Sequence, residues 1–315
     1  MNILNQVSIL KNSVGQVLTG KDELVELTMI ALVNKGHLLL EDVPGTGKTV
    51  LAKSLARLIG GDFKRIQFTP DILPADITGI QFFHPKHQEF EMRPGPVMTN
   101  ILLADEINRA TPRAQSSLLE VMEERQVTID GETLKLPSPF LVIATQNPIE
   151  SHGTFPLPEA QLDRFFMKLP SGYPNMSQEK AMMQMYRQQN PQNYLEPVFS
   201  LEDIIKMQEE VQQIFVSDEI ENYLLSIIHA TRHHEFIETG VSPRGTLAFM
   251  KAAQGAAYVK GRDFVTPDDV QLVAPYVLSH RLVLSMEGTM RKTKEQVLRE
   301  ILDSTEVPVE SEAGR

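Results

Sequence analysis

Five groups of residues in this chain have types and spacings suited to phosphate chemistry. In the stretch Asp42–Thr49, DVPGTGKT, Gly45 and Gly47 allow the backbone to turn its N–H groups around a polyphosphate. Lys48 can bridge β- and γ-phosphate oxygens, and the Thr49 hydroxyl can serve Mg²⁺. Asp42 stands where the usual phosphate-loop pattern begins with glycine, a position that mainly shapes the exit from the preceding strand. The apolar run Ile101–Ala104 ends in Asp105 and Glu106. Asp105 suits the magnesium shell, through water, and Glu106 suits the general base that polarises an attacking water. The run Phe140–Ala144 ends in Thr145, Gln146 and Asn147, so Asn147 emerges where its amide could orient that water; Asn before Pro is also a plain turn signal. Arg164, in Glu159–Phe166, lies beside Phe165 and Phe166, which can anchor the segment while the guanidinium projects outward, where it could reach a neighbouring subunit's γ-phosphate. Arg244 falls just inside a helix opened by Ser242 and Pro243, where it can reach a phosphate; a surface salt bridge is the plain alternative.

These residues need a scaffold that delivers them to one place. His37–Leu40 reads as a short buried strand before the glycine loop, and Leu51, Leu55, Leu58 and Ile59 give the following segment the period of a half-buried helix. Ile101–Ala104 and Phe140–Ala144 read as buried parallel strands, whose C-terminal edge is where open α/β sheets bind ligands. Lys64–Phe68 predicts another strand, with Ile66 and Phe68 on one face. Helices are expected over Leu4–Leu18 and Asp22–Val33; Val17 and Leu18 could pack on a nucleotide base or simply in the core. Thr111 and Pro112 open a helix with Leu118, Leu119 and Met122 inward. Two hairpins are expected: Ile80–Pro96 with a polar tip around Pro85–Gln88 and its aromatics packed on the domain, and a second turning at Asp130–Gly131.

Past Pro170 the chain reads as almost wholly helical. Helix starts fall at Ser200 with Asp203, at Ser217, at Ser242–Pro243 and, for the last helix, at Thr266–Pro267. The expected division is a nucleotide-binding αβα core over 1–175, a small all-α lid over 176–303 and an acidic tail over 304–315. His229 and His233 are four apart on a helix, but no HExxH pattern accompanies them, which favours a solvated or core-edge pair over a metal site.

Composition narrows the field. The chain has 315 residues, 42% hydrophobic and 23% charged, a size that favours two domains. No run approaches the roughly 18–20 apolar residues of a membrane helix, and the first residues lack signal-peptide character, so the expectation is a cytoplasmic protein. The lack of cysteine excludes disulfides, thiolate zinc sites and a cysteine nucleophile. A formal charge of −11 without a long basic run argues against nucleic acid bound through a broad electrostatic face, leaving a local basic channel open.

The order DVPGTGKT, ILLADEINRA, IATQNPIE, PLPEAQLDRFF and SPR resembles the MoxR family of AAA+ ATPases over about Gly20–Leu302. The resemblance implies an α/β P-loop AAA+ core with a parallel sheet, followed by a helical lid. It implies an ATP-binding set of Pro44, Gly45, Thr46, Gly47, Lys48, Thr49 and Val50, and Walker B residues Asp105 and Glu106. Mg²⁺ would be held by Thr49 and Asp105, with Asn147 as sensor 1, Arg164 as arginine finger and Arg244 as sensor 2. The two hairpins would be the helix-2 insert and pre-sensor hairpin of that clade. It further implies a homo-oligomeric ring, typically a hexamer, that hydrolyses ATP to remodel or activate a protein client, often with a von Willebrand factor A domain protein. A nucleic-acid motor of the same clade is the main alternative, but both hairpins mix charges: Lys86 and Arg93 with Glu89 and Glu91, Lys135 with Asp130 and Glu132. A small-molecule kinase fits less well, because Glu106 and Asn147 suit water as the nucleophile.

Overall fold

A computed structural model describes residues 3–15, 17, 20–41, 45–147, 153–170, 172–173, 175–187 and 195–308. Asp42, Pro44, Leu18 and the tail beyond 308, all singled out above, lie outside the described residues. The chain forms two compact units that meet in sequence at Met207 and Gln208.

The first unit opens with α1 (Ile3–Gly15) and α2 (Asp22–Val33), then runs β1 (Leu38–Glu41), α3 (Lys48–Leu58), β2 (Phe63–Gln67) and α4 (Pro74–Thr78). A hairpin of β3 (Gly79–His84) and β4 (Glu89–Pro94) follows, then β5 (Ile101–Asp105) and α5 (Pro112–Glu124). A second hairpin, β6 (Gln126–Ile129) and β7 (Glu132–Lys135), leads to β8 (Leu141–Gln146), the short α6 (Glu159–Leu162), β9 (Met167–Pro170), α7 (Met176–Tyr186) and α8 (Leu201–Glu210). Five strands form one sheet in the order β2-β5-β8-β1-β9, with every pairing parallel. Leu38, Leu39 and Leu40, like Ile101–Ala104 and Leu141–Ala144, are buried irrespective of which way they point, as a sheet covered on both faces requires.

His37 enters β1 as a fully buried polar pin. Its Nδ1 accepts the Val142 N–H at 3.0 Å, so the neutral ring carries its proton on Nε2, which lies 3.0 Å from the Met122 carbonyl. The ring thereby joins β1, β8 and the end of α5. Burial, and secondarily the Arg125 charge, lower its pKa from 6.5 to about 3.

The hairpins lie outside the five-stranded sheet. The second turns as expected at Asp130 (φ 46°) and Gly131 (φ 92°), both left-handed, the signature of a two-residue primed turn. The first corrects an expectation: Phe83 and Phe90, unlike the partly buried Phe82, are not packed on the domain. Phe83 and Phe90 are 50% and 66% exposed and meet each other edge-on, centroids 5.4 Å apart. They are register partners, so both project from one face of a two-stranded ribbon, whose outer part is exposed while Met92 at its base reaches the core. That base is closed by glycines: a Cβ on Gly95 would sit 2.2 Å from the Ile77 carbonyl oxygen.

The helix that begins at Met176 and most of α8 cluster with the first unit, so the compositional shift after Pro170 and the boundary near 207 do not coincide. The cause is local, since the Val198 and Phe199 N–H groups both donate to the Leu58 carbonyl and Phe199 is buried.

The second unit contains α9 (Asp218–His233), β10 (Ile237–Thr239), α10 (Pro243–Val259), α11 (Pro267–Leu278), β11 (Val283–Leu284), α12 (Met286–Arg291) and α13 (Lys294–Ser304). Two points differ from the sequence reading. The helix opened by Thr266 is not the last, because α12 and α13 follow, the latter burying Val297, Leu298 and Ile301. The unit also carries a short antiparallel pair, β10 with β11. The caps at Ser217 and Ser242 form as expected; at Thr266 the Asp269 carboxylate accepts the Thr266 N–H, and the Thr111 side chain makes no capping bond to α5. Asp269, buried at 0% exposure, also takes a two-pronged bond from Arg262 at 2.6 Å and 2.6 Å. Burial alone would raise its pKa, but the bonds from Arg262, Thr266 and Lys260 outweigh it and hold the carboxyl below the ordinary value.

His37 gives a pH test. Below pH 6.5 the unfolded chain binds a proton that the folded site refuses, so stability is fully present above that pH and falls as pH drops toward 3. Between about pH 6 and about pH 4, this group is expected to cost up to about 1.4 kcal/mol per pH unit. Urea unfolding of wild type and His37→Gln across that range should give a shallower pH slope for the variant; equal slopes would contradict a neutral His37.

Candidate functional site

Because all five strands run the same way, their C-terminal ends share one edge of the sheet. β1 is adjacent to β8, with Glu41 level with Gln146, and β8 is adjacent to β5, with Ala104 level with Ala144. The loop after β1, the Asp105–Glu106 pair and Asn147 are therefore delivered to the same edge. Gly45 (φ 89°) and Gly47 (φ 91°) adopt left-handed backbone that a side chain would strain, and Gly47 caps α3, whose first residues are Lys48, Thr49 and Val50. An added Cβ at Gly45 would meet nothing within 4 Å, so its glycine is required by backbone conformation rather than by crowding. Thr46 is buried, and Lys48, Thr49 and Val50 are partly exposed at the helix start, which presents backbone N–H groups and a positive dipole end to an anion.

The carboxylate pair is held by residues that the motif reading did not single out for this role. The Thr145 hydroxyl donates to Asp105 Oδ1 at 2.6 Å and accepts the Glu106 N–H at 2.8 Å. Arg65 Nη2 donates to Asp105 Oδ2 at 2.6 Å. Gln67 Nε2 donates to Glu106 Oε2 at 2.8 Å, and Arg109 Nε lies 3.3 Å from the same oxygen. Glu106 itself is a non-glycine residue at φ 56°, a conformation that costs free energy and redirects its side chain out of the strand's alternation. The sequence held one clue: with Ile66 and Phe68 inward, Arg65 and Gln67 must face the other way. Their carboxylate partners follow only from the pairing of β2 with β5.

Behind this edge, Gln115 is fully buried and donates to the carbonyls of Ile107, Ala110 and Phe155, fixing the segment that follows Glu106. Asn147 is buried one residue past β8, and its carbonyl accepts from Asn108 Nδ2 at 3.3 Å. Glu41 accepts from Gln146 at 3.0 Å and pairs with Lys168 at 2.6 Å, tying together three strand ends where the glycine loop begins. Arg164 follows α6, anchored as expected by buried Phe165 and Phe166; its guanidinium pairs with Glu123 of α5. It lines a cleft of about 310 Å³ together with Ser116, Glu120 and Glu123. Arg244 lies exposed in the first turn of α10, within the second unit.

Comparison with known proteins agrees with this geometry. Residues 37–167 match the model of the ATPase family associated with various cellular activities, and residues 229–301 match an AAA lid domain. The chain is 43% identical over 305 residues to Chaperone MoxR1 of Mycobacterium tuberculosis, covering 94% of this chain and 80% of that one. It belongs to the MoxR family of AAA+ ATPases. YeaC of Bacillus subtilis is 50% identical, with 96% and 95% of the two chains covered. A crystal structure from Cytophaga hutchinsonii, described as that of a candidate ATPase, superposes with a TM-score of 0.91 at 36% identity, covering 98% of this chain and 96% of its own. The MoxR family and the AAA+ fold, a parallel sheet with helices followed by a helical lid, are thus as the motif order implied. No helix among the described residues is long and apolar enough to cross a membrane.

The Thr145 hydroxyl is the shared support of the carboxylate pair in this MoxR chain. Thr145→Val keeps the shape and leaves the Glu106 N–H without its acceptor, a loss expected to cost about 1–3 kcal/mol in denaturant unfolding. Turnover of ATP is expected to fall with it, and unchanged turnover would show that this hydroxyl does not organise the pair for catalysis.

Proposed function

We propose that this MoxR-family protein hydrolyses ATP in a Mg²⁺-dependent reaction and uses the cycle to remodel or activate a protein partner. The observation that carries the ATPase reading is the Asp105–Glu106 pair, joined through one hydroxyl at the sheet edge that also receives the Gly45–Thr49 loop. Backbone N–H groups around Gly45, Thr46 and Gly47, with Lys48, would bind the phosphates; Pro44 and Val50 complete the expected contact set. The Thr49 hydroxyl and Asp105 carboxylate are hard oxygen donors that fit Mg²⁺, which binds few protein ligands and keeps several waters. Such an ion would neutralise phosphate charge. Glu106 would accept the proton of the attacking water while Asn147 orients it.

Gln67 and Arg109 both engage Oε2 of Glu106 and hold the carboxylate in place, so the other carboxylate oxygen would be the one to accept the proton of a water. Arg164 would act across a subunit boundary as the arginine finger, exchanging Glu123 for a γ-phosphate, and Arg244 would serve as sensor 2 from the lid. A finger in trans calls for a ring, for which six subunits is the family expectation. The core and lid are assigned to 1–175 and 176–303 by motif order, with the tail over 304–315, and the cytoplasm is the proposed location. The remodelling reading is supported by the relative named Chaperone MoxR1; a partner with a von Willebrand factor A domain is the first candidate.

Lys48→Ala is expected to abolish most nucleotide binding, whereas Glu106→Gln should bind ATP and turn it over very slowly. Phosphate release with radiolabelled ATP checks both, and undiminished turnover by Glu106→Gln removes the general-base assignment. Arg164→Ala should retain ATP affinity and lose roughly 10³-fold or more in rate. Mixing it with Lys48→Ala chains should then restore part of the activity; mixed assemblies that stay inactive would argue against a finger acting in trans. For the remodelling step, Glu106→Gln loaded with ATP should retain a protein partner that Lys48→Ala does not.

A further inference from the structure

The tip of the β3–β4 hairpin gathers metal-ligating side chains that the nucleotide site does not use. His84 ends β3, His87 lies in the four-residue turn, and Glu91 lies on β4; one ligand atom from each falls within 4.8 Å of the other two. Register explains the meeting. Phe82 pairs with Glu91 and His84 with Glu89, so His84 and Glu91 share one face as diagonal neighbours. The turn then folds back, with the N–H groups of His87 and Gln88 both donating to the His84 carbonyl and Gln88 in a left-handed conformation. This lays the His87 ring over that of His84, centroids 4.4 Å apart. Phe83 and Phe90 occupy the opposite face.

We propose that His84, His87 and Glu91 form a binding site for a divalent transition ion, with Zn²⁺ the best match. Two imidazoles and a carboxylate are a borderline donor set that suits Zn²⁺ better than Mg²⁺ or Ca²⁺, which prefer all-oxygen shells. Ligands about 2.1 Å from a tetrahedral ion lie about 3.4 Å apart, so rotation of exposed His87 toward the other two closes the set. Three protein ligands leave one position for water or for a donor from a bound partner. A two-stranded hairpin is marginal in water, and an ion joining its turn to both strands turns binding free energy into local order. The Phe83–Phe90 pair on the reverse face is then presented by a stiffened ribbon.

The test uses the full chain with Mg²⁺ and ADP in excess, so that the nucleotide site does not compete. Zn²⁺ is titrated by calorimetry, and Co²⁺ by its visible absorption, which reports tetrahedral nitrogen and oxygen ligation. Wild type should take up one ion, and His84→Ala, His87→Ala and Glu91→Gln should each weaken it by roughly ten-fold or more. His229→Ala, which alters the exposed stacked pair on α9, should change nothing. As a readout that needs no variant, Zn²⁺ should slow tryptic cleavage after Lys86, inside the turn. Absence of saturable binding, binding unaltered in all three hairpin variants, or binding lost with His229→Ala would overturn the site. Unchanged circular dichroism and ATP turnover in the hairpin variants would establish that lost binding is not lost folding.

Discussion

A parallel sheet covered on both faces has no water along its strands, so its polar chemistry can begin only where the strands run out, and parallel strands all run out at one edge. In this protein that constraint collects the glycine loop after β1, the carboxylates after β5 and the polar end of β8. The Thr145 hydroxyl makes the collection specific, donating to Asp105 and accepting from the backbone of Glu106. Asp105 is thereby oriented, and the chain bends out of the strand at Glu106. Buried supports behind the edge do the same work with backbone atoms: Gln115 ties down the segment after Glu106, and His37 pins the opposite ends of the neighbouring strands.

The hairpins obey a different rule. Each is closed by its own turn and stays out of the five-stranded sheet, so side chains at its tip are free to be exposed. The aromatic pair Phe83–Phe90 on one face of the first hairpin and the His84–His87–Glu91 group on the other are consequences of register in an isolated ribbon. Within the second unit a buried carboxylate supplies order instead. Burial would raise the pKa of Asp269, but Arg262, the Thr266 N–H and Lys260 outweigh it, and together they fix the start of α11.

Much of this was legible in the chain. The glycine loop, the Asp-Glu pair after four apolar residues, the Asp130–Gly131 turn, the caps at Ser217 and Ser242 and the Thr266–Asp269 bond depend on neighbours within a few residues, where local sterics and hydrogen bonding decide the outcome. The order of those motifs, matched over almost the whole chain, also carried the family. What the sequence could not determine was which strands become neighbours. Arg65 and Gln67 read only as the outward side of a strand until β2 is set beside β5, and Thr145 read as the end of a run until its strand, β8, flanks β5 on the other side. Likewise, the exposure of Phe83 and Phe90, and the approach of His84, His87 and Glu91, arise from pairing register in a ribbon that stays out of the main sheet. Local pattern assigns residues to elements, because its interactions are short in sequence. Partnership across the sheet joins residues about 40 apart, and only tertiary packing chooses among the strand orders that the same pattern allows.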